Sequence, residues 1–95
     1  MIRNVVLAKL KAGVTEDQVA AAVETLRSMR TPGMISITVG RDLGLRDGNW
    51  DMAVVTDLED VESYRTYDTD AEHNRIRREV VAPITERLER IQYEI

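Results

Sequence analysis

Two stretches of the chain place apolar side chains at both odd and even positions. Residues 4–10 (NVVLAKL) and 50–56 (WDMAVVT) are rich in valine, leucine and alanine. Successive side chains of a β-strand point to opposite faces of a sheet, so each stretch is apolar on both faces. The pattern predicts two strands that need cover on both sides.

Two further stretches have the pattern of strands. Residues 34–39 alternate polar and apolar side chains, many of them β-branched, which predicts a second strand. The positions expected on its buried side are Ile35, Ile37 and Val39. Residues 88–95 predict a last strand. The residues expected to share one of its faces are Ile91, Tyr93 and Ile95.

Helix signals fall between these strands. Thr15 and Gln18 fit a capping box, and the apolar residues behind them have helical spacing, which predicts a helix over residues 15–29. Two more helices are predicted after the third strand, a short one over residues 58–67 and another over residues 71–82. A polar break separates the two.

The order of these elements is strand, helix, strand, strand, paired helices, strand. It predicts an α+β domain with the ferredoxin-like βαββαβ plan, a four-stranded antiparallel sheet with its helices on one face. Residues 1–95 are expected to form this single domain. Because helices on one side leave the doubly apolar strands half uncovered, we expect a homodimer that joins two sheets face to face as a dimeric α/β barrel.

Composition and charge exclude several functions. The chain has 17 acidic and 13 basic residues, and its net charge of -4 opposes binding to nucleic acid. It has no cysteine, which excludes disulfides, thiolate zinc sites and cysteine nucleophiles. No apolar segment approaches the ~20 residues of a membrane span and no signal-peptide pattern precedes the first strand, so we expect a cytoplasmic protein with no membrane partner.

Candidate chemistry is concentrated in residues 64–73, which contain two of the three tyrosines and the only histidine. The side chain of His73 is the one whose unperturbed pKa lies near neutrality. A helix dipole would keep it neutral, whereas Asp68, Asp70 and Glu72 favour its cation, and the sequence leaves the net direction open. Carboxylates beside a helix start usually cap it, so we predict no metal site.

Four features of the sequence are similar to those of one known family. They are residues 2–11 (IRNVVLAKLK), the helix from Thr15 to Leu26, Gly40 after the second strand, and Tyr67 followed six residues later by His73. Through them, nearly the whole chain resembles the stress-responsive dimeric α/β-barrel domain proteins, a family that includes the plant olivetolic acid cyclase.

The resemblance implies that Tyr67 and His73 are a catalytic pair in a pocket between the helices and the sheet of each subunit. Asn4 stands where the family often carries a second histidine. Asparagine can hydrogen-bond a carbonyl group but cannot exchange a proton near neutral pH. The residues expected to line the pocket and bind a ligand are Asn4, Val6, Ala8, Val23, Leu26, Val54 and Ile76.

These expectations lead to a functional hypothesis, a cofactor-free cyclase or lyase acting on a polyketide-like carbonyl compound. In it, His73 removes a proton α to a carbonyl group while Tyr67 donates a hydrogen bond to the oxygen on which negative charge develops. Asn4 helps to orient the ligand, which is expected to be a small apolar carbonyl or aromatic compound. No cofactor is expected.

Two other interpretations are open. In the first, His73 is a buried histidine that braces the break between the two short helices, Tyr67 packs its ring there, and the protein is a non-enzymatic dimeric stress-response or assembly module. In the second, the chain is similar to the cofactor-independent monooxygenases, because those enzymes share the same dimeric plan.

Overall fold

The computed structural model describes residues 1–95 and contains four strands and three α-helices. These elements are β1 (Ile2–Leu10), α1 (Glu16–Arg27), β2 (Met34–Arg41), β3 (Met52–Leu58), α2 (Val61–Thr69), α3 (Ala71–Ile76) and β4 (Thr85–Glu94). A π-helical turn, Arg77–Val81, and a 3-10 turn, Ala82–Ile84, join α3 to β4. The element order confirms the predicted βαββαβ plan.

The four strands form one antiparallel sheet in the order β2-β3-β1-β4. The central strands, β1 and β3, are the two whose sequences are apolar on both faces. Their alternate residues, from Asn4 to Ala8 and from Met52 to Leu58, face the helices and are mostly buried. The helices therefore cover one face of the sheet, as the ferredoxin-like prediction requires.

The hydrophobic core lies between this face and the helices. Eleven buried residues form it. They are Ala8, Val19, Val23, Leu26, Met29, Val39, Met52, Val54, Leu58, Tyr67 and Ile76. Tyr67 is the one aromatic side chain among them, so the core is built from aliphatic and thioether side chains. Such side chains leave space beside the tyrosine.

Three predicted strand details are wrong. The third strand runs from Met52 to Leu58 rather than over residues 50–56. The register between β2 and β3 shifts at a bulge between Met34 and Ser36, and this bulge turns Ile35 outward, where it is 50% exposed. Ile35 is therefore not on the buried side of the strand. The last strand begins at Thr85 rather than at residue 88, because Thr85 already pairs with Leu10 of β1.

The helices after β3 also begin and end differently from the prediction. Leu58 is the last residue of β3, and α2 begins three residues later because Asp60 caps it, accepting a hydrogen bond from the backbone N–H of Ser63 at 2.8 Å. The predicted helix over residues 71–82 is α-helical only to Ile76 and continues as the π-helical turn.

The other face of the sheet, here called the outer face, has no helix over it. Its centre is apolar, and Leu7, Ile91 and Tyr93 are each more than a third exposed. The apolar residues of the outer face are Val5, Leu7, Ala53, Val55, Ile91 and Tyr93. A bidentate ion pair flanks them, in which Arg3 Nε and a terminal guanidinium nitrogen bind the two Asp57 carboxylate oxygens at 2.8 and 2.9 Å.

The overall shape follows from this one-sided arrangement. The molecule measures 37 × 27 × 18 Å along its principal axes, so it is a flat body of one helix layer on one sheet. None of the helices has both the length and the hydrophobicity required to traverse a lipid bilayer.

We predict that Gly33, in the turn before β2, is needed for the correct start of α2. Its φ of +82° is in the left-handed region, and a Cβ there would overlap the side chain of Ser63. Gly13 has a φ of +84° with open space around it, so it is a matched control. Each alanine substitution should cost about 1 kcal/mol of unfolding free energy for the backbone strain. Gly33→Ala should cost about 1 to 3 kcal/mol more, because it also overpacks Ser63.

Urea unfolding of the two variants measures this difference. In a Ser63→Gly background the excess loss at Gly33 should disappear, since glycine removes the atoms that a methyl group at position 33 would meet. Equal losses for Gly33→Ala and Gly13→Ala would contradict the prediction.

Candidate functional site

A single aspartate places the tyrosine and the histidine together. Asp70 ends α2, where its backbone N–H donates to the carbonyl of Tyr67, and it caps α3 by accepting a hydrogen bond from the backbone N–H of His73 at 2.9 Å. Its extended backbone turns the chain between the two helices. Tyr67 in the last turn of α2 and His73 in the first turn of α3 therefore pack against each other, with ring centroids 4.1 Å apart and ring planes tilted by 33°.

Both side chains are buried, and the imidazole is only partly satisfied. His73 is 4% exposed and Tyr67 is 2% exposed. The Nδ1 atom of His73 lies 3.2 Å from the sulfur of Met29, which follows α1. The Nε2 atom is buried and has no hydrogen-bond partner in the protein. Buried polar atoms are nearly always paired, and this nitrogen is one of three side-chain atoms that are not, with the hydroxyl oxygens of Thr31 and Thr56.

Burial determines the charge of His73. It lowers the pKa of the imidazole from 6.5 to about 4, and the positive charge of Arg77 acts in the same direction. Asp68 and Asp70 oppose this shift without overcoming it. The direction that the sequence left open is thus settled by desolvation, which disfavours the charged form. At neutral pH the imidazole is uncharged.

Tyr67 is likewise held in its neutral form. Burial raises the pKa of its phenol, while the nearby side chain of Thr56, the charge of Arg77 and the side chain of Asn4 act in the opposite direction. The guanidinium carbon of Arg77 lies 6.0 Å from the centre of the tyrosine ring. A protonated phenol can donate a hydrogen bond at neutral pH.

The Tyr67–His73 pair lies beside a mostly apolar cavity of about 60 Å³ that is partly open to the surface. An enclosed cavity of ~150 Å³ is known to hold a benzene molecule, so this one has room for several waters or a small organic group. The residues that line it are Asn4, Val6, Ala8, Ala22, Leu26, Met52, Val54, Tyr64, Tyr67, His73, Arg77, Val81, Ile84, Thr85, Leu88 and Arg90.

Most of the residues expected from the sequence lie around this cavity. Besides Tyr67 and His73, they are Asn4, Val6, Ala8, Leu26 and Val54. Val23 and Ile76 do not line it, contrary to the expectation, because they are buried in the core with other apolar side chains. The side-chain oxygen of Asn4 accepts a hydrogen bond from Gln92 at 2.8 Å, which fixes the orientation of the amide.

Sequence reasoning missed the part of the lining contributed by the end of the chain. Leu88 and Arg90 pair with Ala8 and Val6 of β1 and so face the helices. The alternation of side chains along a strand could have identified them. Ile91 faces away from the helices, so its neighbour Arg90 must face the cavity. The contribution of Val81 depends on the π-helical turn, for which the sequence gives no clear pattern.

Two arginines bring positive charge to this cavity. Arg77 binds Asp68 at 2.9 Å and the side-chain oxygen of Asn74 at 2.9 Å. Arg90 takes part in none of the six salt bridges of the chain. No group of three or more histidine, cysteine, aspartate or glutamate side chains is arranged to hold a metal ion. The polar side chains that line the cavity therefore supply one imidazole, two phenols, one amide, one hydroxyl and two guanidinium groups.

Fold and cavity define a ferredoxin-like α+β domain with a histidine–tyrosine pair between its helices and its sheet. The chain belongs to the family of the stress-responsive A/B barrel domain, which matches residues 2–95. This confirms the family inferred from the sequence. A search among curated proteins gave no match.

Several solved structures share the fold over almost the whole chain. A dimeric ferredoxin-like protein of unknown function from Thermobifida fusca is 30% identical, with a TM-score of 0.88, and the alignment covers 99% of this chain and 90% of that one. The hydroxynitrile lyase from Passiflora edulis is 18% identical, with a TM-score of 0.87 and coverages of 99% and 92%. A putative antibiotic biosynthesis monooxygenase from Nitrosomonas europaea is 19% identical, with a TM-score of 0.74 and coverages of 100% and 98%.

We predict that His73 makes the protein less stable in acid. Between pH 6.5 and 4 the unfolded chain binds a proton at this residue that the folded chain does not, because the pKa of the buried imidazole is about 4. The free energy of unfolding should therefore fall as the pH falls through this range, by at most about 3 kcal/mol from this residue.

Urea unfolding of the wild type and of His73→Leu at pH 7 and pH 4 tests this expectation. The leucine variant should lose less stability in acid, and at pH 7 it should be no less stable than the wild type, since it removes an unpaired polar atom. Equal losses in acid for both proteins would mean that the imidazole titrates normally. A large destabilisation of His73→Leu at pH 7 would favour a bracing role for the histidine.

Proposed function

We propose that the protein binds a small carbonyl compound in this cavity and promotes proton transfer without a cofactor, as a lyase or cyclase would. One observation carries the proposal. The Nε2 atom of the neutral His73 is buried and unpaired, and the imidazole packs against the protonated phenol of Tyr67 beside an apolar cavity that both residues line. An unsatisfied buried nitrogen costs about 1 to 3 kcal/mol, and a ligand that donates a hydrogen bond to it would remove this cost.

The low pKa of His73 restricts the reaction. A base works best when its pKa lies near the operating pH, so an imidazole with a pKa of about 4 is always available but weak. It suits a carbon whose proton is already acidic, such as one between two carbonyl groups. This favours a polyketide-like 1,3-dicarbonyl compound over a simple ketone.

The remaining polar groups fit the charge that develops during such a step. Removing the proton leaves an enolate, and the phenol of Tyr67 can donate a hydrogen bond to its oxygen. Arg77 and Arg90 also favour negative charge in the cavity. The same enolate would stabilise the imidazolium formed on His73, because opposite charges at close range raise the pKa of the base.

The size of the cavity limits how much of a substrate it encloses. About 60 Å³ accommodates the reacting carbonyl group and its nearest carbons. Because the cavity is partly open to the surface, the rest of a longer molecule can extend outward. The orientation of Asn4, held by Gln92, gives a fixed polar group with which a second carbonyl group can be bound.

We predict that the wild type accelerates hydrogen–deuterium exchange at the α-carbon of ethyl 2-methylacetoacetate in D₂O, measured by ¹H NMR. His73→Gln should lower the enzymatic exchange rate at least 100-fold, which is the low end for a general base. Tyr67→Phe should lower it about 100-fold, as loss of one oxyanion donor does.

Tyr93→Phe, which removes a phenol on the outer face, is the matched control and should keep the wild-type rate. Exchange by the wild type at the rate of buffer alone would contradict the proposal. If ethyl 2-methylacetoacetate and related diketones stabilise the wild type against heat but no hydrogen exchange occurs, the protein binds such compounds without catalysing proton transfer. If they do neither, the non-enzymatic module remains.

We also propose that the chain forms a homodimer through the outer face. The accessible surface of 6050 Å² exceeds the roughly 5,500 Å² expected for a folded monomer of 10.8 kDa. The apolar residues of this face are contiguous across the central strands, and such patches mark association surfaces. The relative from Thermobifida fusca is described as dimeric, which supports the same assembly here.

We predict that Val55→Glu, at the centre of the outer face, converts the dimer to a monomer. A buried unpaired carboxylate in each copy opposes association. Ala20→Glu adds the same charge on the exposed side of α1 and should leave the dimer intact. Sedimentation equilibrium should give twice the chain mass of 10.8 kDa for the wild type and the control. A wild type that sediments as a monomer at micromolar concentration would contradict the proposal.

A further inference from the structure

The contact between Met29 and His73 determines which nitrogen of the imidazole carries the proton. A neutral imidazole has one N–H donor and one acceptor nitrogen. The Nδ1 atom of His73 and the sulfur of Met29 are 3.2 Å apart, and both residues are buried. A thioether sulfur has lone pairs but no hydrogen, so it can only accept. The contact is favourable only when Nδ1 carries the hydrogen.

The opposite tautomer is unfavourable at this position. It would place the lone pair of Nδ1 against the lone pairs of the sulfur, with no proton between them. It would also leave the N–H of Nε2 buried without an acceptor, since Nε2 has no partner in the protein. The tautomer with its proton on Nδ1 leaves one unpaired acceptor instead of two defects.

We propose that Met29 is a positioning residue that holds His73 in the Nδ1–H tautomer, and that the site takes ligands that present a hydroxyl or enol proton to Nε2. This inference rests on the proposed function for its ligand, but not for its tautomer. To the proposed function it adds a role for Met29, which follows α1, and a chemical class of ligand, namely hydrogen-bond donors. The ligand group must be a donor because the free nitrogen is an acceptor.

The location of Met29 is suited to this role. It follows Ser28, the C-cap of α1, and its backbone N–H donates to the carbonyl of Leu26 at 3.2 Å, which ties it to the helix end. Its side chain is 5% exposed and belongs to the hydrophobic core, so it is held in place by packing. Met29 does not line the cavity itself, and it therefore acts through the imidazole.

Nitrogen NMR tests the tautomer directly. His73 is the only histidine, so protein labelled with ¹⁵N-histidine gives one pair of ring nitrogens. A long-range ¹H–¹⁵N correlation at pH 7 distinguishes a protonated ring nitrogen from an unprotonated one by its shift and couplings. The wild type should show Nδ1 protonated and Nε2 unprotonated. The reverse assignment overturns the inference, whether or not any variant folds.

Met29→Leu keeps the size and the apolar character of the side chain but removes the acceptor. In this variant the two nitrogen shifts should move toward each other, because both tautomers become populated. Met34→Leu, a substitution of the same kind at a half-buried methionine of β2 that does not line the cavity, should leave the spectrum unchanged. A Met29→Leu spectrum identical to that of the wild type overturns the positioning role.

Phenol and anisole test the ligand class, since anisole carries a methyl group in place of the donor hydrogen of phenol. Phenol should shift the Nε2 resonance of the wild type and bind roughly tenfold more tightly than anisole, whose ether oxygen leaves Nε2 unpaired. Equal affinities, or no shift of Nε2 with phenol, overturn the ligand assignment.

The result separates this inference from the proposed function. Suppose that Nδ1 is protonated and that the protein binds phenol but does not exchange an α-proton. This result would support the role of Met29 and contradict the proposed proton transfer. A protein that exchanges α-protons with Nε2 protonated supports the proposed function and removes the role of Met29.

Discussion

The site depends on one constraint, which is that a lone imidazole is buried without a full set of hydrogen-bond partners. Taking it from water holds it neutral, and its Nε2 atom is left free. A net stability of about 5 to 15 kcal/mol is usual for a domain, so a defect of 1 to 3 kcal/mol is a substantial part of it. Residues from three parts of the chain surround the imidazole, since Met29 after α1 and Tyr67 in α2 both contact His73 in α3.

The sheet divides two tasks between its faces. Each central strand supplies cavity residues from one set of alternate positions and outer-face residues from the other, as Val54 and Val55 of β3 do. A substitution on the outer face can therefore alter association without touching the cavity. The same geometry explains the double hydrophobic pattern of β1 and β3, which have no face that water solvates in a dimer.

The sequence predicted the fold well because its strongest patterns are local. The capping box of Thr15 and Gln18 is present as predicted, and the doubly apolar strands are the central ones. The errors arise where tertiary structure decides. A bulge reverses the face of Ile35, and the π-helical turn after Ile76 has no clear pattern in the sequence.

The site was predictable in outline and not in detail. The lone histidine and the tyrosine six residues earlier identified the right region. The contact between the two rings could not be predicted, because it depends on the angle between two short helices that Asp70 sets. Met29 is 44 residues from His73 in the chain, and no pattern links the two. The sign of the pKa shift of His73 depends on burial, which sequence neighbours do not determine.

A high-resolution crystal structure of the protein tests the central claim most directly, through the electron density between Asn4, Tyr67 and His73. The cavity is mostly apolar, but Asn4, Tyr67 and His73 supply polar groups to its lining, and a buried water is held where about two to four polar partners are within reach. We expect density for a water or a ligand within hydrogen-bonding distance of Nε2, with the cavity open beside it. A dry, collapsed interior in which a protein group binds Nε2 would contradict the account.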